Sequence, residues 1–198
     1  MKQILCFGDS NTWGLDGETG KRFPWEKLAD RDIRIVEEGL CGRTTIFEDP
    51  LRLGRRGTEL LPTLLETHTP DAVVLMLGTN DCKTIFGASE EIIGKGIARL
   101  LEQINQYADK MKVLVISPIY LGKKVWQDGY DQEFSPESVE VSKKLEPVYE
   151  KVAGKYGKRF MRAADYASPS EADQEHMDGQ SHKILADAIY RKLEAEIL

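Results

Sequence analysis

DAVVLMLGTND, residues 71–81, runs through six apolar side chains without a break and then turns at once into Gly78, Thr79, Asn80 and Asp81. A strand with one wet face alternates apolar with polar residues. An unbroken β-rich run bounded by Asp71 and Gly78 instead reads as a strand buried on both faces. VLVIS at 113–117 repeats the pattern, and shorter runs stand at 3–7, 33–36 and 159–161. Helical patterns lie between them. Ser89 to Met111 places Ile93, Ile97, Leu100, Leu101 and Ile104 at spacings of three and four, behind Glu90 and Glu91, whose charge suits a helix N-terminus. Ser138 to Tyr156 and Ser181 to Leu198 read the same way, and Gly57 to His68 reads as a shorter helix interrupted or started at Pro62. Strands alternating with helices imply right-handed crossovers, hence a parallel α/β sheet of five strands covered on both faces.

The totals bound the rest. A chain of 198 residues, 41% apolar and 30% charged, fits one domain over 1–198, and it carries no repeat or interdomain linker. A net charge of −6 without a long Lys or Arg run opposes binding to a phosphate backbone, so no nucleic-acid partner is expected. No stretch approaches membrane-spanning length, and Gln3 to Phe7 is too short for the apolar part of a signal peptide. A cytoplasmic location and no membrane partner are the expectation. Cys6, Cys41 and Cys82 are odd in number and lack metal-type spacing, which favours free thiols over disulfides or a zinc site.

In open parallel sheets, ligands bind beyond the carboxyl ends of the strands, where strand order reverses. Three glycine-bearing polar segments fall there: Gly8-Asp9-Ser10 after the first strand, Gly42 after the second, and Gly78 to Asp81 after the third. A serine hydroxyl becomes a useful nucleophile when a histidine takes its proton and a carboxylate orients that imidazole. Of three histidines, His68 sits at a helix end away from the rim. His182 shares the apolar face of the last helix with Leu185, which makes it a packed residue. His176 precedes that helix in a polar loop, three residues after Asp173. The pattern therefore favours Ser10, His176 and Asp173 over a set using Asp178 and His182. An oxyanion needs donors fixed in advance, and the N–H groups of Ser10 and Gly42 and the side-chain amide of Asn80 are the candidates. Taken singly, such residues are ordinary caps and turns; their joint placement on one rim is what points to chemistry.

Those four blocks, GDS with Ser10, EEGLCGRTT with Gly42, GTND with Asn80, and Asp173-Gln174-Glu175-His176, resemble the SGNH or GDSL-type serine esterases over nearly the whole chain. ILCFGDSNTWG, EEGLCGRTT and MLGTND look most like the small bacterial arylesterases and acyltransferases. The resemblance implies a three-layer, flavodoxin-like α/β/α fold, a triad of Ser10, His176 and Asp173, and oxyanion donors on Ser10, Gly42 and Asn80. It also implies supporting roles for Asp9 and Asp81, read as hydrogen-bonding braces. Two departures stand out. Asn11 replaces the leucine of the namesake motif and is expected to alter packing without holding a role. Gln174 stands where a glycine often follows the Asp, leaving the shape of that loop open.

The reading is a hydrolase of short acyl or aryl esters acting on a small-molecule ester, with acyl transfer as a side activity and without cofactor or metal. Trp13, Thr79, the Pro24-Trp25 stretch and the long connection 118–136 are candidate pocket walls, and association into a homo-oligomer is left open. A metal-dependent phosphoesterase is the alternative, weakened because no Asp-x-His follows the first strand. A nucleotide-binding module is disfavoured because Gly94-Lys95-Gly96 falls inside a helical pattern. A noncatalytic binding domain on the same scaffold is the third reading.

Overall fold

The computed structural model describes residues 1–25 and 33–198. Five parallel strands, β1 (Lys2–Gly8), β2 (Ile33–Gly39), β3 (Ala72–Met76), β4 (Lys112–Ser117) and β5 (Arg159–Arg162), form one sheet in the order β2-β1-β3-β4-β5. The helices are α1 (Ser10–Trp13), α2 (Gly57–His68), α3 (Glu90–Tyr107), α4 (Pro136–Lys155) and α5 (Gly179–Glu196). This is the expected three-layer α/β arrangement with a five-stranded parallel sheet.

Alternate strand residues serve opposite faces. Leu5, Phe7, Val73, Leu75, Val113 and Val115 join a core with α2, α3 and α4. Ile4, Cys6, Val74, Met76, Leu114 and Ile116 join a second core with Leu185, Ile189 and Leu193 of α5. Burial on both sides is why these strands lack polar alternation. Gly8 pairs with Gly39 on one side and Met76 on the other, so β1, β2 and β3 end level and their following turns leave from one rim. Strand order reverses between β1 and β3, which puts the expected ligand position above Gly8 and Leu77.

Several boundaries differ from the sequence expectation for local reasons. α2 runs straight through Pro62. Proline removes the N–H that would bond the carbonyl four residues earlier; that carbonyl, on Thr58, instead accepts from the Gln103 side chain of α3 at 2.7 Å. α4 starts at Pro136 rather than Ser138, because Ser135 caps it and exchanges bonds with Ser138 in a capping box. α5 starts at Gly179, capped by Asp178, whose side chain accepts from the Ser181 N–H. α3 ends at Tyr107, short of Met111.

Gly94 and Gly96 are packing residues inside α3. A Cβ on Gly94 would lie 2.4 Å from Val148 Cγ1 of α4, and one on Gly96 would lie 2.1 Å from Thr45 Oγ1. The connection 118–136 buries Leu121, Val125 and Phe134 in the core of α2, α3 and α4, so it is a packed part of the fold as well as a candidate wall. Among the described residues, no helix is long and apolar enough to cross a membrane. Among the described residues, Cys6, Cys41 and Cys82 form no disulfide.

Candidate active site

Asp9, the first residue past β1, caps the single turn of α1 by accepting from the Asn11 N–H at 3.0 Å. Capping is thereby assigned to Asp9, and Ser10 at the first helical position keeps its hydroxyl for another partner. Gly14, with φ of 85°, ends the turn in the left-handed conformation that glycine adopts without Cβ strain. Ser10 is 4% exposed, and its Oγ lies 2.8 Å from His176 Nε2. On the other ring nitrogen, His176 Nδ1 lies 2.7 Å from Asp173 Oδ2. The structure thus joins a side chain from the first strand's end to one 166 positions later.

The loop carrying His176 is held from several directions. Asp173 Oδ1 accepts the N–H groups of Glu175 at 3.0 Å and His176 at 2.9 Å, so the carboxylate that orients the ring also fixes its backbone. Gln174 adopts φ of 64°, the left-handed region where glycine is at ease. Its carbonyl accepts from the Gly122 N–H at 2.7 Å, its N–H donates to the Ser170 carbonyl at 2.9 Å, and its side chain accepts from Lys124 N–H and donates to Glu171. That is the shape the missing glycine left open, and the connection 118–136 secures it. Asn11 corrects the expectation that it holds no role. Its Nδ2 donates to the Glu175 carbonyl at 3.4 Å and its Oδ1 accepts from the Met177 N–H at 3.2 Å, spanning His176 on both sides.

Gly42 is buried with φ of 83°, a conformation strained for any residue with a Cβ. Arg43, 2% exposed, anchors this turn: its guanidinium donates to the Gly8 carbonyl at 2.9 Å and to the Glu38 carbonyl, and it stacks over Phe7 at 4.2 Å. Asn80 donates one amide N–H to the Arg43 carbonyl at 3.2 Å, which orients the amide and leaves its second N–H to donate elsewhere. Asp81 is fully buried and accepts the Thr45 N–H at 2.9 and 3.1 Å as well as its hydroxyl, tying the turn after β3 to the loop after β2.

Electrostatics sort these groups. Burial works against the charged form of Asp173, but hydrogen bonds from the His176 ring and from two backbone N–H groups outweigh it and hold the carboxyl below its ordinary range. Burial likewise disfavours imidazolium, yet the bond to Asp173 and the charges of Glu175, Asp173 and Asp9 leave His176 raised. Burial pushes Asp9 up to about 6 against the opposing effects of the Asn11 N–H, His176, Thr79 and Arg43. It pushes Asp81 up to about 7 against the Thr45 bonds.

Glu175 and Lys83 were not singled out from the sequence. Glu175 is 7% exposed, with Oε1 3.7 Å from His176 Nε2, and burial raises its carboxyl to about 7. Lys83, 1% exposed, pairs with Glu133 at the end of the connection 118–136. Nothing in the sequence periodicity marks either, although Glu175 lies inside one quoted block and Lys83 stands two positions after another. Among the described residues, no group of three or more His, Cys, Asp or Glu side chains is arranged to hold a metal ion.

The remaining candidates fall in different places. Trp13 is half-buried at the end of α1, with the Arg22 guanidinium 5.5 Å from its ring centroid. Thr79 is buried, and its side chain interacts with Asp9. Trp25 is not a wall of this site. It is buried in the core beneath α5, where its Nε1–H donates to His182 Nδ1 at 3.2 Å. His182 is fully buried, and its other ring nitrogen lies 2.9 Å from the Leu15 carbonyl. His68 sits in the last turn of α2, 3.3 Å from Glu38.

The model of the GDSL-like lipase/acylhydrolase family matches residues 6–183. An arylesterase of Vibrio mimicus is 26% identical over 137 residues, which cover 66% of this chain and 62% of the relative's length. The structure of a carbohydrate acetylesterase from Sinorhizobium meliloti superposes with a TM-score of 0.88 at 33% identity, covering 98% of this chain and 99% of that one. The native aryl esterase of M. smegmatis gives 0.87 at 32% identity, with coverage of 98% and 99%.

Proposed function

Because the chain belongs to the GDSL-like lipase/acylhydrolase family, we propose that it is a carboxylic-ester hydrolase working through an acyl intermediate on Ser10. The observation that carries this reading is the continuous line from Ser10 Oγ to His176 Nε2 at 2.8 Å and from His176 Nδ1 to Asp173 Oδ2 at 2.7 Å. In acylation, Nε2 takes the hydroxyl proton as Oγ attacks the ester carbon. Asp173, held ionised by its hydrogen bonds, fixes the tautomer that presents a lone pair to Ser10 and stabilises the imidazolium. The oxyanion is received by the N–H groups of Ser10 and Gly42 and by the second N–H of Asn80. Collapse of the intermediate expels the alcohol with the proton from Nε2, and water then repeats the sequence to release the acid.

Short acyl groups, acetyl foremost, on aryl or carbohydrate alcohols are the proposed substrates. The named relatives, an arylesterase and a carbohydrate acetylesterase, support this choice. An alcohol can replace water in the second half-reaction, which gives acyl transfer as the side activity. Trp13, three positions after the nucleophile, is the proposed wall on the acyl or alcohol side. A reducing, cytoplasmic location fits three cysteines that form no disulfide among the described residues.

The test is a panel of p-nitrophenyl esters and acetylated sugars, with Ser10→Ala as control and with and without chelator. Turnover of the acetyl members that the control abolishes and the chelator spares is the expected result. Turnover unchanged in Ser10→Ala, or abolished by chelation, would contradict the reading.

A further inference from the structure

Glu175 takes no part in the cycle just described, yet its carboxyl lies beside the nitrogen on which that cycle turns. Its side chain is 9% exposed, and Oε1 lies 3.7 Å from His176 Nε2, the atom that is 2.8 Å from Ser10 Oγ. The charged partner of its carboxyl is the His176 ring, and the carboxyl oxygens keep contact with solvent rather than standing sealed without a partner. A separation of 3.7 Å is too long for a direct hydrogen bond. It is, however, the base of a triangle whose apex, about 2.8 Å from both atoms, suits an oxygen that donates to each.

Resting on the esterase reading, we infer that Glu175 positions the water that deacylates Ser10 and so biases the acyl-enzyme toward hydrolysis over transfer to alcohols. Water has two O–H bonds. One donates to Nε2, which takes that proton as the water oxygen bonds to the acyl carbon, and the other donates to Glu175 Oε1. Collapse breaks the bond from the acyl carbon to Ser10 Oγ, which receives the proton back from Nε2, and the free acid leaves. An alcohol has a single O–H, committed to Nε2, and its carbon must then lie against the carboxylate. The charged groups that act on Glu175 are His176, Asp131, Lys83 and Asp173, with the Cys41 thiol coupled to it as well. Burial raises its carboxyl to about 7, so the ionised form that accepts from water predominates at pH 8.

The experiment follows p-nitrophenyl acetate with 1-butanol at pH 8 and measures butyl acetate against acetate, with the Ser10→Ala background subtracted. A charge-assisted hydrogen bond lost from the water should raise the transfer-to-hydrolysis ratio about 10-fold in Glu175→Leu. In Glu175→Gln, whose amide oxygen still accepts, the rise should be about 3-fold. This ratio is set after acylation, so slower acylation or partly folded protein does not move it, and the Gln variant, which adds no apolar surface, separates loss of the carboxylate from a merely more apolar site. The isosteric Gln variant decides the matter if the Leu variant fails to fold. Equal ratios in parent and variants would overturn the role of Glu175 while leaving the esterase reading in place. A parent that releases no acetate above the Ser10→Ala background would overturn both.

Discussion

Two Asp–His pairs lie near the C-terminal end of the chain, their histidines six positions apart, and they have come to opposite uses. Asp173 and His176 sit in a loop at the sheet rim, where the carboxylate binds both the backbone and the ring of the histidine and the ring reaches Ser10. Asp178 and His182 sit on the first turn of α5, where the aspartate caps the helix and the histidine is sealed between Trp25 and the Leu15 carbonyl. Their surroundings move the two rings in opposite directions. Burial disfavours charge on both; it prevails at His182, which is lowered, whereas neighbouring carboxylates prevail at His176, which is raised. Residue type and spacing do not make a base. The neighbours supplied by the fold do.

The comparison breaks first at the histidines. In the proposed mechanism, His176→Ala should lower kcat by roughly 10⁴- to 10⁶-fold. His182→Leu should leave turnover of p-nitrophenyl acetate within about 2-fold; comparable losses in both would erase the distinction. Next, Asp173→Asn should cost about 10⁴-fold in kcat by favouring the wrong tautomer, against no change in Asp178→Asn under the same assay. On the oxyanion side, Asn80→Ala should cost about 100- to 1,000-fold in kcat with a smaller effect on KM; a pure KM effect would assign Asn80 to ground-state binding.

A finer test is the acid limb of kcat/KM. The reaction needs neutral His176, so activity is full above its pKa and falls as pH drops through it. Because that pKa is raised, the midpoint should lie above the ordinary value of about 6.5. Glu175→Gln removes one of the charges responsible and should move the midpoint down; an unmoved midpoint would show that Asp173 and Asp9 suffice. The smallest effects fall on stability. His182→Leu leaves the Trp25 N–H and Leu15 carbonyl without their partner, at about 1–3 kcal/mol for each buried group, which should appear as a melting temperature lower by several degrees. Asp178→Ala should cost about 1 kcal/mol for the lost cap.

The sheet was legible because strands buried on both faces leave a signature that needs no neighbours to interpret, as in AVVLML. The convergence of Ser10, Gly42 and Asn80 was legible because parallel topology sends every strand's carboxyl end to one rim. What the sequence hid depends on tertiary contact. Asn11 looked idle because its partners, the backbones of Glu175 and Met177, are more than 160 positions away. Trp25 looked like a wall because an aromatic carries no mark of which face it packs against, and its indole proved to belong to His182. Gln174 hid its left-handed backbone behind a residue type that rarely adopts it, the conformation being fixed by Gly122, Lys124 and Ser170. Glu175 stands unremarked in a polar loop, and only the fold brings it beside Nε2.

The most direct measurement is intact-protein and peptide mass spectrometry after treatment with a fluorophosphonate at pH 8. A single adduct on the peptide bearing Ser10, formed by the parent and by His182→Leu but at a greatly reduced rate by His176→Ala, is the predicted result. No adduct on Ser10, or labelling that proceeds equally fast without His176, would contradict the claim that this imidazole activates this hydroxyl.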